Sequence, residues 1–121
     1  MKHWLFVAAL MGGLAVALGA FAAHGLQGRL NDEAREVFET AARYQMYHAL
    51  AMGLAAFAAR DAAAGRARLA AILFLVGIVL FSGSLYLLAL TGETALGFVT
   101  PLGGLSFIAG WAMLALAALK F

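Results

Sequence analysis

Four stretches of the chain are apolar and carry no charge: residues 4–23, 44–59, 69–90 and 94–119. A helix needs roughly 20 residues to cross the hydrocarbon core of a bilayer. The pattern therefore predicts four spans, at about 4–23, 44–59, 69–90 and 98–119. Backbone groups in lipid have no water to pair with, and none of the stretches alternates with period two, so each span is expected to be helical. Between the first two spans the pattern changes. Asn31 reads as an N-cap, Asp32 and Glu33 as an acidic first turn, and Arg35, Glu39 and Arg43 stand four residues apart. Val37, Phe38, Ala41 and Tyr44 give this segment an apolar side, which predicts an amphipathic helix over 32–43 resting on the bilayer surface. Whether it bends before entering the second span is not legible in the pattern.

The second span covers only sixteen residues, about 24 Å of helix against a core of about 30 Å. Snorkelling by Arg43 and Arg60 and burial by neighbouring helices are expected to make up the difference. In the first span, Ala8, Gly12, Ala15, Gly19 and Ala22 fall on one helix face, a seam along which another backbone can approach closely. Gly103, Ser106 and Gly110 form a second such stripe in the fourth. His24-Gly25 is expected to end the first span in a left-handed turn, and Thr100-Pro101 to supply an N-cap and a first-turn proline for the last helix. Trp4 reads as an interface anchor. Trp111, mid-span, is expected to be buried where its indole N–H finds a partner. The first twenty-residue run is too long for a signal-peptide core.

Composition sharpens the class. The chain is 65% hydrophobic and 12% charged over 121 residues, against about 25% charged in soluble domains. The fold class is therefore all-α, an integral membrane four-helix bundle with an amphipathic surface helix between spans 1 and 2, forming a single membrane domain. The absence of cysteine excludes thiol catalysis, thiolate metal sites and palmitoylation. The net charge of +2 comes from basic residues scattered among the flanks, which suits lipid headgroups rather than nucleic acid. Lys2, Arg60, Arg66, Arg68 and Lys120 oppose Arg29, Arg35 and Arg43, which predicts both termini in the cytoplasm.

Antiparallel spans bring the end of the first, the start of the second, the end of the third and the start of the fourth to one membrane face. His24, Tyr44, Gln45, Tyr47, His48, Ser82, Ser84, Tyr86 and Thr100 all fall there, and ionisable or polar groups at such depth persist mainly where they face protein or a cavity. These nine residues are the candidate polar cluster or ligand site. His24 and His48 lie at similar depth and could act as haem or metal ligands. The plainer reading is that they tie helix ends together by hydrogen bonds. The tyrosines likewise suit an interfacial belt with satisfied hydroxyls better than acid–base catalysis. No nucleophile with a base partner and no carboxylate pair is present in the spans, which points away from an enzyme, and no cofactor is expected.

Several of these stretches carry a family resemblance. Gly19-Ala20-Phe21-Ala22-Ala23-His24-Gly25-Leu26, Phe38-x-Thr40-Ala41, Tyr44-Gln45-x-Tyr47-His48-Ala49-Leu50, Phe81-Ser82-Gly83-Ser84-Leu85-Tyr86 and Thr100-Pro101-Leu102-Gly103-Gly104, with Gly110-Trp111, together resemble domain of unknown function 423, whose animal relatives are called transmembrane protein 256. Ala22 and Leu102 depart from it, standing where glycine and isoleucine are expected. The resemblance implies four helices and a bacterial inner-membrane or organellar address, and no activity. Three functions remain in view: a non-enzymatic binding or accessory protein that meets lipids, a second copy or a larger membrane complex through the non-cytoplasmic polar site; a small dimeric transporter or channel; and a histidine-ligated haem or metal protein. The second lacks the carboxylate within the first span on which four-helix multidrug exporters depend.

Overall fold

The computed structural model describes residues 2–121. It is built from five helices, Lys2–His24 (α1), Asp32–Ala58 (α2), Ala64–Gly77 (α3), Gly83–Thr91 (α4) and Thr100–Ala118 (α5). A single wide π turn, Ile78–Ser82, joins α3 to α4, so that Asp61–Thr91 forms one helical rod and the bundle has four rods in all. No strand occurs among the described residues. The all-α bundle predicted from the apolar runs is the observed architecture.

Asn31 caps α2 through its side chain, which accepts from the Ala34 amide at 2.8 Å. Arg35 and Glu39 approach to 4.0 Å one turn later. The segment 32–43 and the span after it are one uninterrupted helix. The apolar side of its first turns does not lie on a lipid surface. Phe38, Ala41 and Ala42 are buried, and Phe38 packs with Ala22 from the end of α1, Leu26 from the loop after it and Ala89 from α4. The reason is length: 27 residues reach about 40 Å, so the acidic start projects beyond the apolar runs while still lying against its neighbours.

Two turn expectations change. Gly25 has ordinary negative φ; the left-handed residue in that loop is Gly28, at φ 80°. Gly25 is needed for space, since a Cβ there would come within 2.6 Å of the Phe21 ring. Thr100 is the first residue of α5 rather than its cap, which is Val99, and its hydroxyl is used elsewhere. Gly92, at φ 72°, closes α4 by donating to the Leu88 carbonyl.

Three segments among the described residues are long and apolar enough to cross a membrane: α1, the rod Asp61–Thr91, and Thr94–Ala118. The exception, α2, is the innermost helix, packing on α1, α3, α4 and α5. Two of its polar side chains, Gln45 and His48, turn onto the other helices and are buried. α1 presents little to the bundle, burying Ala8, Ala15 and Ala22 at intervals of one heptad, while Phe6, Leu10 and Val16 face out. The predicted seam is thus used, against α2. α5 lies along α3 and the π turn. There Phe107 would collide with a Cβ on Gly77, the Phe81 backbone with one on Gly103, and the Phe74 ring with one on Gly110.

Candidate functional site

The polar side chains of four sequence regions meet in small groups, each pinning helices together. Gln45 is 2% exposed at the centre of the first. Its Nε2 donates to the Met11 carbonyl in α1 at 2.9 Å, and its Oε1 accepts from the Tyr86 hydroxyl in α4 at 2.7 Å. One amide therefore ties three helices. The Tyr86 ring also packs at 4.8 Å from Phe38, which fixes the hydroxyl's direction from the other side.

His48 is the centre of the second group. The Trp111 indole N–H, which can only donate, points at His48 Nε2 from 3.1 Å; Nε2 must therefore accept. The proton then sits on Nδ1, which donates to the Tyr44 carbonyl at 2.8 Å. The ring stacks on Phe107 with centroids 3.5 Å apart and planes 7° from parallel, and Phe74 closes its other neighbourhood at 5.7 Å. Both nitrogens of this neutral imidazole are occupied by protein groups. A haem or metal would have to displace the indole to reach a lone pair, and among the described residues no group of three His, Cys, Asp or Glu side chains is arranged to hold a metal ion. Trp111 finds the partner expected of it but remains 44% exposed, because α5 lies on the outside of the bundle and only the indole's polar edge reaches inward.

The third group joins α4 to α5. Ser84 Oγ donates to the Phe81 carbonyl at 2.9 Å and accepts from Thr100 Oγ1 at 2.6 Å. Nearby, Ser106 Oγ crosses from α5 to the Leu73 carbonyl in α3 at 2.7 Å. Ser82, fully buried in the π turn, has a hydroxyl without a protein partner.

Of the nine predicted residues, the structure gathers Gln45, His48, Ser82, Ser84, Tyr86 and Thr100 into the interior or its margin. His24, the last residue of α1, is exposed and does not join His48. Tyr47 is 48% exposed, edge-on to Tyr44. Tyr44 lies at the boundary, its ring 4.9 Å from Phe81 and its outer edge open. Sequence reasoning missed the Met11 carbonyl, the Ser106 bond and the rings of Phe74 and Phe107 around His48. A backbone acceptor leaves no trace in a sequence, but the repeated pairing of phenylalanine with glycine was a usable signal.

The fold and these hydrogen bonds define a helical integral membrane protein whose buried polar side chains, Ser82 excepted, are bonded within the protein. The chain belongs to the family described as protein of unknown function DUF423, whose model matches residues 18–104. It is 46% identical to the UPF0382 membrane protein YwdK of Bacillus subtilis over 122 aligned residues, covering all of this chain and 99% of that one. It is 46% identical to the UPF0382 membrane protein SH2409 of Staphylococcus haemolyticus, covering all of this chain and 98% of that one. The corresponding Haemophilus influenzae membrane protein is 44% identical, over 99% and 97% of the two chains. No solved structure matches. The resemblance read from the motifs is thus the family itself, and these relatives are membrane proteins without a stated activity.

Proposed function

We propose that this protein is a non-enzymatic binding or accessory component of a bacterial inner membrane, with both termini cytoplasmic and the polar groups toward the other face. In this reading α2 crosses beside the three apolar rods, with Leu50, Leu54 and Phe57 facing outward. The observation that carries it is that the central side chains are already committed: the Gln45 amide ties α2 to α1 and α4, and His48 accepts from Trp111 of α5 at Nε2 while its Nδ1 donates to the Tyr44 carbonyl of its own helix. Groups committed in this way hold a shape and are poorly placed to turn over a substrate or relay an ion. What remains for function is the outside: the half-open Tyr44, Tyr47 and Trp111 rings and the acidic start of α2, surfaces suited to a hydrophobic ligand or a neighbouring membrane protein.

The test compares wild type with His48→Ala. The purified protein is expected to show no Soret band. In liposomes it is expected to show no ion or drug flux above empty vesicles, while His48→Ala lowers the unfolding midpoint in detergent. A Soret band, or a flux abolished by His48→Ala in protein that still folds, would overturn the proposal in favour of the haem or transporter reading.

A further inference from the structure

At the end of the bundle away from the polar layer, two cavities meet. One, of about 320 Å³, is an apolar groove between α2 and α5 walled by Leu54, Phe57, Leu114 and Ala118. The other, of about 230 Å³, is lined by Arg60, Asp61 and Lys120. Arg60 and Phe121 line both, and the Arg60 guanidinium lies 5.1 Å from the centre of the Phe121 ring. We propose that the pair of cavities is a site for one anionic phospholipid, with an acyl chain in the groove and the phosphate between Arg60 and Lys120.

Three features favour that occupant. The groove runs along membrane-facing helices and its walls are aliphatic and aromatic, as a hydrocarbon chain requires. The polar cavity opens at its end, where the phosphate of a lipid so seated would fall. The side chains also suit such a headgroup: Arg60 and Lys120 flank the polar cavity together with Asp61, and a phosphatidylglycerol offers a net negative charge to the two bases and headgroup hydroxyls that can donate to the Asp61 carboxylate. A phosphatidylcholine, neutral overall and without those hydroxyls, offers neither. Neither basic side chain is in an ion pair, since among the described residues the one ion pair within 4.0 Å is Arg35–Glu39. The adjacent Arg66 is committed to the Leu116 carbonyl at 3.2 Å and is left out of the site. The contact with the Phe121 ring also keeps the guanidinium where both cavities are lined by it.

The site lies at the opposite end from His48 and Gln45, so its test does not depend on the function proposed above. The full chain, purified in mild detergent, is incubated with equal amounts of dioleoyl phosphatidylglycerol, phosphatidylethanolamine and phosphatidylcholine, and bound lipid is read by native mass spectrometry. The expected result is one phosphatidylglycerol per chain, favoured over phosphatidylcholine by about fivefold or more for each basic residue engaged. Arg60→Gln with Lys120→Gln should bring the lipids to parity. Ala118→Phe, which fills the groove without touching charge, should reduce binding of all three. Equal retention of phosphatidylglycerol and phosphatidylcholine by the wild type would overturn the site, and that arm stands even if a variant fails to fold. So would displacement of the lipid by glycerophosphate alone at matched concentration, which would mark a free-anion site, or an unchanged preference in the folded double variant.

Discussion

The two helix hairpins of this protein solve one packing problem in opposite ways. α1 meets α2 through alanine and glycine on both sides, Ala8, Gly12, Ala15 and Ala22 against residues such as Ala49 and Ala51. The surfaces approach without interlocking: a Cβ on Gly12 would still stand 3.9 Å from its nearest neighbours, and a groove of about 230 Å³ remains open along Gly12 and Gly53. The rod of α3 and α4 meets α5 through large side chains set into glycine gaps, with serine hydroxyls bridging to carbonyls beside them. Lipid tails remove most of the hydrophobic drive between helices, leaving close contact and hydrogen bonds to hold them. The second hairpin is keyed by shape, whereas the first depends on a few bonds, chiefly the Gln45 amide.

Breaking the key should have the largest effect. A Cβ on Gly103 would overlap the backbone nitrogen of Phe81 and stand 2.7 Å from its Cα, and backbone cannot swing aside as a side chain can. Gly103→Ala is therefore expected to cost about 3 kcal/mol, the upper part of the overpacking range. Gly110→Ala meets the Phe74 ring at 2.7 Å and should cost less, because a ring can tilt. Unfolding in detergent followed by circular dichroism would check the order; Gly110→Ala proving the more damaging would mean that the rod gives way at Phe81.

The tie in the loose hairpin comes next. Gln45→Leu keeps the volume but strands the Met11 carbonyl and the Tyr86 hydroxyl, for an expected cost of about 2 kcal/mol. Tyr86→Phe should cost about 1 kcal/mol, and the double mutant should show a coupling of up to about 1.5 kcal/mol between them, as for hydrogen bonds between membrane helices. Additive effects would show that the amide and the phenol act separately. A sharper form of the comparison is local: in Gln45→Leu, amide exchange should quicken in α1 while α3 and α5 stay protected.

Much of this contrast could be read in the chain before any coordinates, but unevenly. Three of the four apolar spans, the Asn31 cap and the seam at Ala8, Ala15 and Ala22 follow from local rules of periodicity and capping, so they were legible. The polar layer followed from antiparallel order, since helix ends must share a face. His24 and Tyr47 failed to join it because depth was legible and azimuth was not: span lengths say how far down a residue sits, while neighbours decide which way it points. The pairing of Phe74 with Gly110, Gly77 with Phe107, Phe81 with Gly103 and Ser84 with Thr100 was present as a pattern, each pair being equidistant from Gly92 in the sequence. It becomes visible only when the two helices are read against each other about that turn. The Met11 carbonyl and the π turn had no side-chain signal at all.

Two small substitutions probe the comparison most finely. Ser82 is fully buried and its hydroxyl has no partner within the protein, so Ser82→Ala should be neutral or should raise stability by up to about 1 kcal/mol. A clear loss would mean that the hydroxyl bonds to something held in the π turn. Gly12→Ala, in the open seam, should fall within about 0.5 kcal/mol of wild type, the new methyl making ordinary contact with Ala49 and Met46 while alanine suits a helix better than glycine. The same exchange of glycine for alanine would thus be nearly silent in one hairpin and severe in the other, and the ratio of the two measures how far shape, rather than sequence composition, holds each interface. Equal losses at Gly12 and Gly103 would show that α1 is seated as tightly as α5, and the distinction between a keyed and a tied hairpin would fall.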